Sequence, residues 1–339
     1  MKYPNFLNVS DNIGVVAPSF GITSVIYEAK YNSAKKAFEE LGYSIIPSSQ
    51  VFSKHLGASA SPKSRAKDFV DFYKNSKIDF LMAFSGGELE YEILPYLNFK
   101  KLAKYPPKYF MGFSDNTFLS FMLTTVSDVA SIYGPNFNSF GMQPWHKQNN
   151  VALKLVRGKK FDQDNFERYV DVSKEHDENP LATLHPTRKV VWKSLRKSTH
   201  LELSGRIIGG CMDCLQYIVG SKFDNFKEFK HKYSKDGVIL FLEACDLNVF
   251  GIARTLQLFK LNGWLENLNG IVIGRALKPQ TIEGLSLKQV YKKYLGDLNI
   301  PVLYDLDIGH VAPMLTIING SVVQITLDGH DGNINTMFY

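Results

Sequence analysis

Short apolar runs and helix-patterned stretches alternate through the first third of this sequence, and that alternation narrows the fold more than any other feature. Asn12-Ile13-Gly14-Val15-Val16-Ala17-Pro18-Ser19 is an apolar run closed by turn residues, as expected of a buried strand. Residues 27–41 then place Ala34, Ala37, Phe38 and Leu41 on one helical face, and Gly42 stands where a helix would end. The pattern continues with a strand at 43–47, a helix at 64–75, a strand at 78–84, a helix at 90–97 and a strand at 108–113. Strands separated by helices at this spacing predict an α/β domain with a mostly parallel sheet. Ligands of such sheets bind beyond the carboxyl ends of the strands. The turn Ser85-Gly86-Gly87 and the serine Ser114 both fall there.

The chain has 339 residues, more than one hydrophobic core usually serves, so two domains are expected. Periodicity weakens between 133 and 198, and the polar, turn-rich stretch 173–180 reads as the crossing. We place an N-terminal domain at 1–165, a linker at 166–200 and a C-terminal domain at 201–339. The second domain contains the strand 238–243 and ends β-rich, with 321–327 alternating and Asp328-Gly329 as a turn.

Composition excludes several classes. With 45% hydrophobic and 21% charged residues the chain is that of a globular protein. Its formal charge of +6 comes from 39 basic and 33 acidic residues that are interspersed. The densest basic patches, Lys100-Lys101 with Lys104 and residues 157–160, lack the interleaved aromatics of a single-strand platform, so no nucleic-acid partner is expected. No apolar run approaches the roughly 18 residues needed to cross a bilayer, and the start carries no secretory pattern. A cytoplasmic protein without a membrane partner is the expectation. Three cysteines are too few and too odd for a disulfide framework. Cys211-Met212-Asp213-Cys214 has C-x-x-C spacing but no second half-site, so packing at a helix start is favoured over metal or redox chemistry.

Four segments could carry chemistry. Ser114 lies between a strand and an apolar, helix-compatible stretch, the setting of a nucleophile on a tight turn. Serine and aspartate are also favoured helix caps, so Ser114 or Asp115 could equally be a cap. His310, between Gly309 and a nearby proline, is the best placed of eight histidines to act as a base, although a loop histidine without a task fits the segment as well. Glu243 ends an apolar run and is either solvated at a strand end or aimed into a site. The amides around Gly86-Gly87 could serve an oxyanion, or the pair could be a simple tight turn. A dinucleotide-dependent oxidoreductase is excluded, because 14–21 contains no G-x-G-x-x-G.

Taken together, the segments Gly14-Val15-Val16-Ala17-Pro18-Ser19, Ser85-Gly86-Gly87, Gly112-Phe113-Ser114-Asp115-Asn116-Thr117 and Tyr133-Gly134-Pro135 resemble the LD-carboxypeptidase family of serine peptidases. The resemblance resumes at 205–210, Phe241-Leu242-Glu243, 270–275 and Gly309-His310, and within the family it is to the microcin C self-immunity branch. It implies a Rossmann-like N-terminal domain, a β-rich α/β C-terminal domain and a site at their interface. It also implies a triad of Ser114, Glu243 and His310, oxyanion donors at the amides of Gly87 and Asp115, no cofactor, no metal and a homodimer. The implied substrate is a small peptide-like molecule, either the L,D bond of a murein tetrapeptide or a peptidyl-nucleotide. Trp192 is the candidate aromatic for contacting a nucleotide. One departure stands out: Cys211 occupies a position where many members carry asparagine after the glycine pair. The competing reading is a non-catalytic small-ligand binding protein on the same fold.

Overall fold

The computed structural model describes residues 1–172, 179–196 and 198–338, so most of the predicted crossing, 173–178, lies outside the described residues. The chain divides into two compact units. The first comprises 1–160, 179–184 and 316–318, and the second the other described residues.

In the first unit β1 (Asn12–Val16), β2 (Ser44–Pro47), β3 (Phe80–Ala83), β4 (Phe110–Gly112) and β5 (Ser131–Tyr133) pair in parallel in the order 2-1-3-4-5. The strand Ile317–Asn319 adds at the β5 edge. Strand order reverses between β1 and β3, which makes the carboxyl ends of these strands the place for a ligand. Helices α1 (Val25–Glu40), α2 (Pro62–Lys74), α3 (Phe99–Leu102), α4 (Thr117–Thr125) and α5 (Lys147–Val156) complete the unit.

Local sequence explains most of these elements. The Ser24 hydroxyl accepts from the Tyr27 amide at the start of α1, and Tyr31, Ala34 and Phe38 form the buried face. Leu41, expected on that face, is 40% exposed, because the helix has already ended when Gly42 turns the chain. The predicted helix at 90–97 is a 3-10 helix, Glu90–Tyr96, with Pro95 inside it. Proline has no N–H to continue an α-helical ladder. Helix α5 lies in the stretch of weak periodicity. Two of its six buried residues are the amides Gln148 and Asn149, which blur an apolar stripe.

The second unit is built on an eight-stranded mixed sheet. Its elements are β6 (Asp162–Asp164), the small hairpin β7 (Arg168–Tyr169) and β8 (Arg188–Lys189), β9 (Lys193–Ser194), β10 (His200–Cys211), α6 (Met212–Ile218) and α7 (Phe226–Lys232). They continue with β11 (Val238–Glu243), α8 (Val249–Leu261), β12 (Gly270–Gly274), α9 (Leu287–Leu295) and β13 (Val302–Leu306). Ile317–Asn319 is β14 in this count, and β15 (Val322–Asp328) and β16 (Asp331–Met337) end the chain as a hairpin. The sheet order is 6-16-15-10-11-12-13-9. Strands β10 to β13 are parallel, and the flanking strands run antiparallel. All six residues of β11 are buried, as a central strand covered on both faces requires. The fold is therefore α/β, with a parallel sheet in the first unit and a β-rich mixed sheet in the second. Among the described residues no helix is long and apolar enough to cross a membrane.

Candidate active site

In the first unit the chain leaves β4 through Phe113 and turns sharply at Ser114, whose φ is 66°. A non-glycine residue in the left-handed region is strained, and strain of this kind must be held by its surroundings. Three groups hold it. The side-chain Oδ1 of Asn136 accepts from the Phe113 amide at 3.1 Å, and the Tyr133 hydroxyl accepts from the Ser114 amide at 3.4 Å. The Asn116 side chain donates to Ser85 O at 3.0 Å and to Asn136 Oδ1 at 3.1 Å, tying the turn after β4 to the turn after β3.

Those two turns touch. A Cβ built on Gly86 would lie 2.9 Å from Ser114 Cβ and 3.0 Å from Ser114 Oγ, so only glycine lets the Ser85-Gly86-Gly87 backbone approach the hydroxyl this closely. Ser114 is half-buried. The cap alternative finds no support in the geometry. Neither Ser114 nor Asp115 is the N-cap of the 3-10 turn Ser114–Asn116 or of α4, and neither helix start has a side-chain cap bond.

The Asp115 carboxylate instead points back into the unit. It accepts from the Ser19 hydroxyl and, at 2.9 Å, from the Glu90 amide. Burial is the main cause that pushes the Asp115 carboxyl up to about 6, against the lowering effect of those hydrogen bonds. Glu90, fully buried beneath it, is raised well above the carboxylate range by burial and by the charge of Asp115, while its Oε1 accepts from the Leu119 amide.

In the second unit Glu243 ends β11 with its side chain fully buried, and its Oε2 lies 2.8 Å from His310 Nδ1. Burial alone would pull the histidine down. The Glu243 charge, with hydrogen bonds to Cys245 and Glu243, outweighs it and leaves the ring well above its ordinary pKa. Gly309 makes the pairing possible. It sits at φ 93°, and a Cβ there would collide with the Glu243 side chain.

The loop that carries His310 is pinned at Asp307, which is fully buried. Its carboxylate receives the Arg275 guanidinium, the Trp192 indole N–H at 3.0 Å and the Phe166 amide at 3.2 Å, while its carbonyl accepts from Leu315 N at 2.7 Å.

Trp192 corrects an expectation. Read from the sequence as an aromatic available to a nucleotide, it is fully buried, packs against Gly332 and spends its one donor on Asp307. A side chain so placed braces the histidine loop and presents no face to a ligand. Cys211 and Cys214 are buried at the start of α6, where Cys211 precedes the first helical residue.

Sequence reasoning missed Asn136, Ser19, Glu90 and Asp307. The signal for Asn136 was close at hand, since it directly follows the Tyr133-Gly134-Pro135 segment. The others are chemically ordinary residues whose task appears only when the chain is folded.

A serine on a strained strand-to-helix turn and a histidine backed by a buried carboxylate are the working parts of serine hydrolases. Comparison with known proteins agrees. Residues 13–134 match the LD-carboxypeptidase N-terminal domain and residues 204–325 the LD-carboxypeptidase C-terminal domain. The chain belongs to the LD-carboxypeptidase family, the serine hydrolases of peptidase family S66.

Its relatives include the microcin C7 self-immunity protein MccF of Escherichia coli, 26% identical over 339 residues that cover 97% of this chain and 94% of MccF. The "Probable murein peptide carboxypeptidase" of Bacillus subtilis is 24% identical over 318 residues, covering 93% and 88%. Among solved structures, an MccF-like protein from Bacillus anthracis superposes with a TM-score of 0.83 at 24% identity, covering 99% of this chain and 100% of the other. MccF in complex with glutamyl sulfamoyl guanosine superposes with a TM-score of 0.81 at 23% identity, covering 99% and 98%.

Proposed function

We propose that this protein is a peptidase or amidohydrolase in which Ser114, Glu243 and His310, drawn from both domains, act as a triad on a small peptide-like substrate. The observation that carries the reading is the His310 Nδ1 to Glu243 Oε2 contact of 2.8 Å on a fully buried carboxylate. That contact fixes which ring nitrogen faces the acid and leaves the other to work as a base. The strained turn at Ser114 and the family membership support the same reading.

In the proposed reaction the Ser114 Oγ–H proton passes to His310 while Oγ bonds to the scissile carbonyl carbon. The resulting oxyanion is held by the amides of Asp115 and Gly87. His310 returns the proton to the leaving group as the carbonyl–heteroatom bond breaks, leaving an acyl-enzyme and a free amine or nucleotide portion. Water, deprotonated by His310, then releases the acid and restores Ser114. The nucleophile domain is taken as 1–165 and the domain of the acid and base as 201–339, with 166–200 between them. By the same family reading the protein works in the cytoplasm as a homodimer.

For the substrate, the aminoacyl sulfamoyl nucleoside bound to MccF favours an aminoacyl- or peptidyl-nucleotide, and the Bacillus relative keeps the murein L,D bond as the alternative. Incubating the purified protein with a peptidyl-nucleotide and with a murein tetrapeptide, and resolving products by mass, separates the two. Release of the nucleotide portion is the expected result, release of free D-alanine would move the substrate to murein, and intact substrates in both arms would refute the hydrolase reading.

A further inference from the structure

In the second unit a cysteine that hydrolysis does not account for, Cys211, stands beside the proposed acid and base. Strands β10 and β11 are parallel neighbours, and their register sets Cys211 opposite Glu243 at the carboxyl ends of both. The loop after β13 then brings His310 onto Glu243, which Gly309 permits. One donor atom each from Cys211, Glu243 and His310 lie within 4.8 Å of one another. Among the described residues this is the group of histidine, cysteine and acidic side chains drawn together closely enough to hold an ion.

We propose that Cys211, Glu243 and His310 form a binding site for a soft divalent cation of the Zn²⁺ type, and that its occupancy switches hydrolysis off. A thiolate, an imidazole and a carboxylate are the donor types zinc takes, and three protein ligands leave a fourth position for water. With metal–ligand bonds of roughly 2.0–2.3 Å, tetrahedral donors lie about 3.3–3.8 Å apart. An ion bound there would replace the 2.8 Å contact between His310 Nδ1 and Glu243 Oε2, opening that edge by about 0.5 Å, while Cys211 closes on the pair. The Cys211 thiol donates to Asp213 Oδ2 at 3.3 Å, a bond that coordination would break, and the Asp213 carboxylate is itself fixed by the amides of Cys245, Asp246 and Leu247. Cys214 is not in the group, so the site is distinct from a C-x-x-C half-site.

On binding, the Cys211 thiol proton and the proton on the coordinating His310 nitrogen leave to solvent, and the metal takes the electron pairs they release. The inhibitory consequence rests on the proposed triad: a histidine bound to metal has no lone pair for the Ser114 proton, and Glu243 no longer orients it.

The test is run first without substrate, so that its outcome is independent of the hydrolase reading. Co²⁺ is titrated into the full chain, with Zn²⁺ affinity measured against a chromophoric chelator. Wild type should take one ion per chain and show a thiolate-to-cobalt charge-transfer band. Cys211→Ser, with Cys211→Ala as a second variant should the first fail to fold, should lose the band and bind Zn²⁺ at least ten-fold more weakly. Cys214→Ser should keep it. Absence of the band in wild type, or its survival in both Cys211 variants, would overturn the site. On a substrate that wild type cleaves, Zn²⁺ should inhibit in parallel with occupancy, and full turnover at full occupancy would overturn the switch.

Discussion

Ser114 spends conformational energy on its position, and the residues around it show why that position persists. A φ of 66° costs a non-glycine residue on the order of 1–3 kcal/mol, which the bonds from Asn116, Asn136 and Tyr133 must offset. His310 has the complementary problem, an imidazole with little access to water whose cationic form, reached when the ring takes a proton, is stabilised by one buried carboxylate. Glu243→Gln keeps the shape but removes the charge and allows the wrong tautomer. We expect it to lower kcat by roughly two to four orders of magnitude, with a smaller change in KM, in steady-state assays of the cleaved substrate. Unchanged kcat would remove Glu243 from the triad.

Asp115 yields a prediction on stability. Its folded pKa of about 6 lies above the reference value of 3.8, so the folded state binds this proton more tightly than the unfolded state. The stabilisation is fully present below the unfolded value and is lost as pH rises through about 6. A displacement of that size corresponds to about 3 kcal/mol. Denaturant unfolding of wild type and Asp115→Asn should therefore show wild type losing stability relative to the variant between pH 4 and pH 7. Parallel curves would mean that the carboxyl is not perturbed.

At the scale of elements, the loop between β13 and β14 shows how the proposed base is positioned by residues that never touch it. Asp307 gathers Arg275, Trp192 and the Phe166 amide, and the backbone then needs three more residues to deliver His310. Trp192→Phe keeps most of the packing but removes the indole donor from a fully buried carboxylate. We expect a loss of about 1–3 kcal/mol in unfolding free energy, measured by denaturant melts, with KM for a nucleotide-bearing substrate little changed. A large rise in KM with unaltered stability would restore the tryptophan to the substrate.

Periodicity made the strands and longer helices of the first unit legible, because an apolar run closed by turn residues leaves few alternatives. It placed β11 at its observed limits and located Ser114 at a strand end. It did not separate a nucleophile from a cap, since both need a polar residue before a helix. What bears on the choice locally is the backbone angle and the contact with Gly86, which are properties of two turns brought together by the sheet. Trp192 failed for a related reason. A tryptophan in an aperiodic stretch reads as a loop residue, and its burial depends on Asp307, 115 residues away.

For the molecule as a whole, chain order and structural unit do not coincide. Residues 316–318 return from the second unit to the first, where Ile317–Asn319 extends the parallel sheet beyond β5. The proposed nucleophile and the proposed acid–base pair are likewise far apart in sequence and belong to different units. The account therefore stands on one claim, that Ser114 is chemically coupled to a histidine some 200 residues later. The most direct measurement is turnover of a peptidyl-nucleotide and a murein tetrapeptide by wild type and by Ser114→Ala, with folding of the variant checked by its thermal melt. On whichever substrate wild type cleaves, we predict that the variant is slower by roughly ten-thousand-fold or more. Equal rates for the two folded proteins would contradict the assignment of Ser114 as the nucleophile.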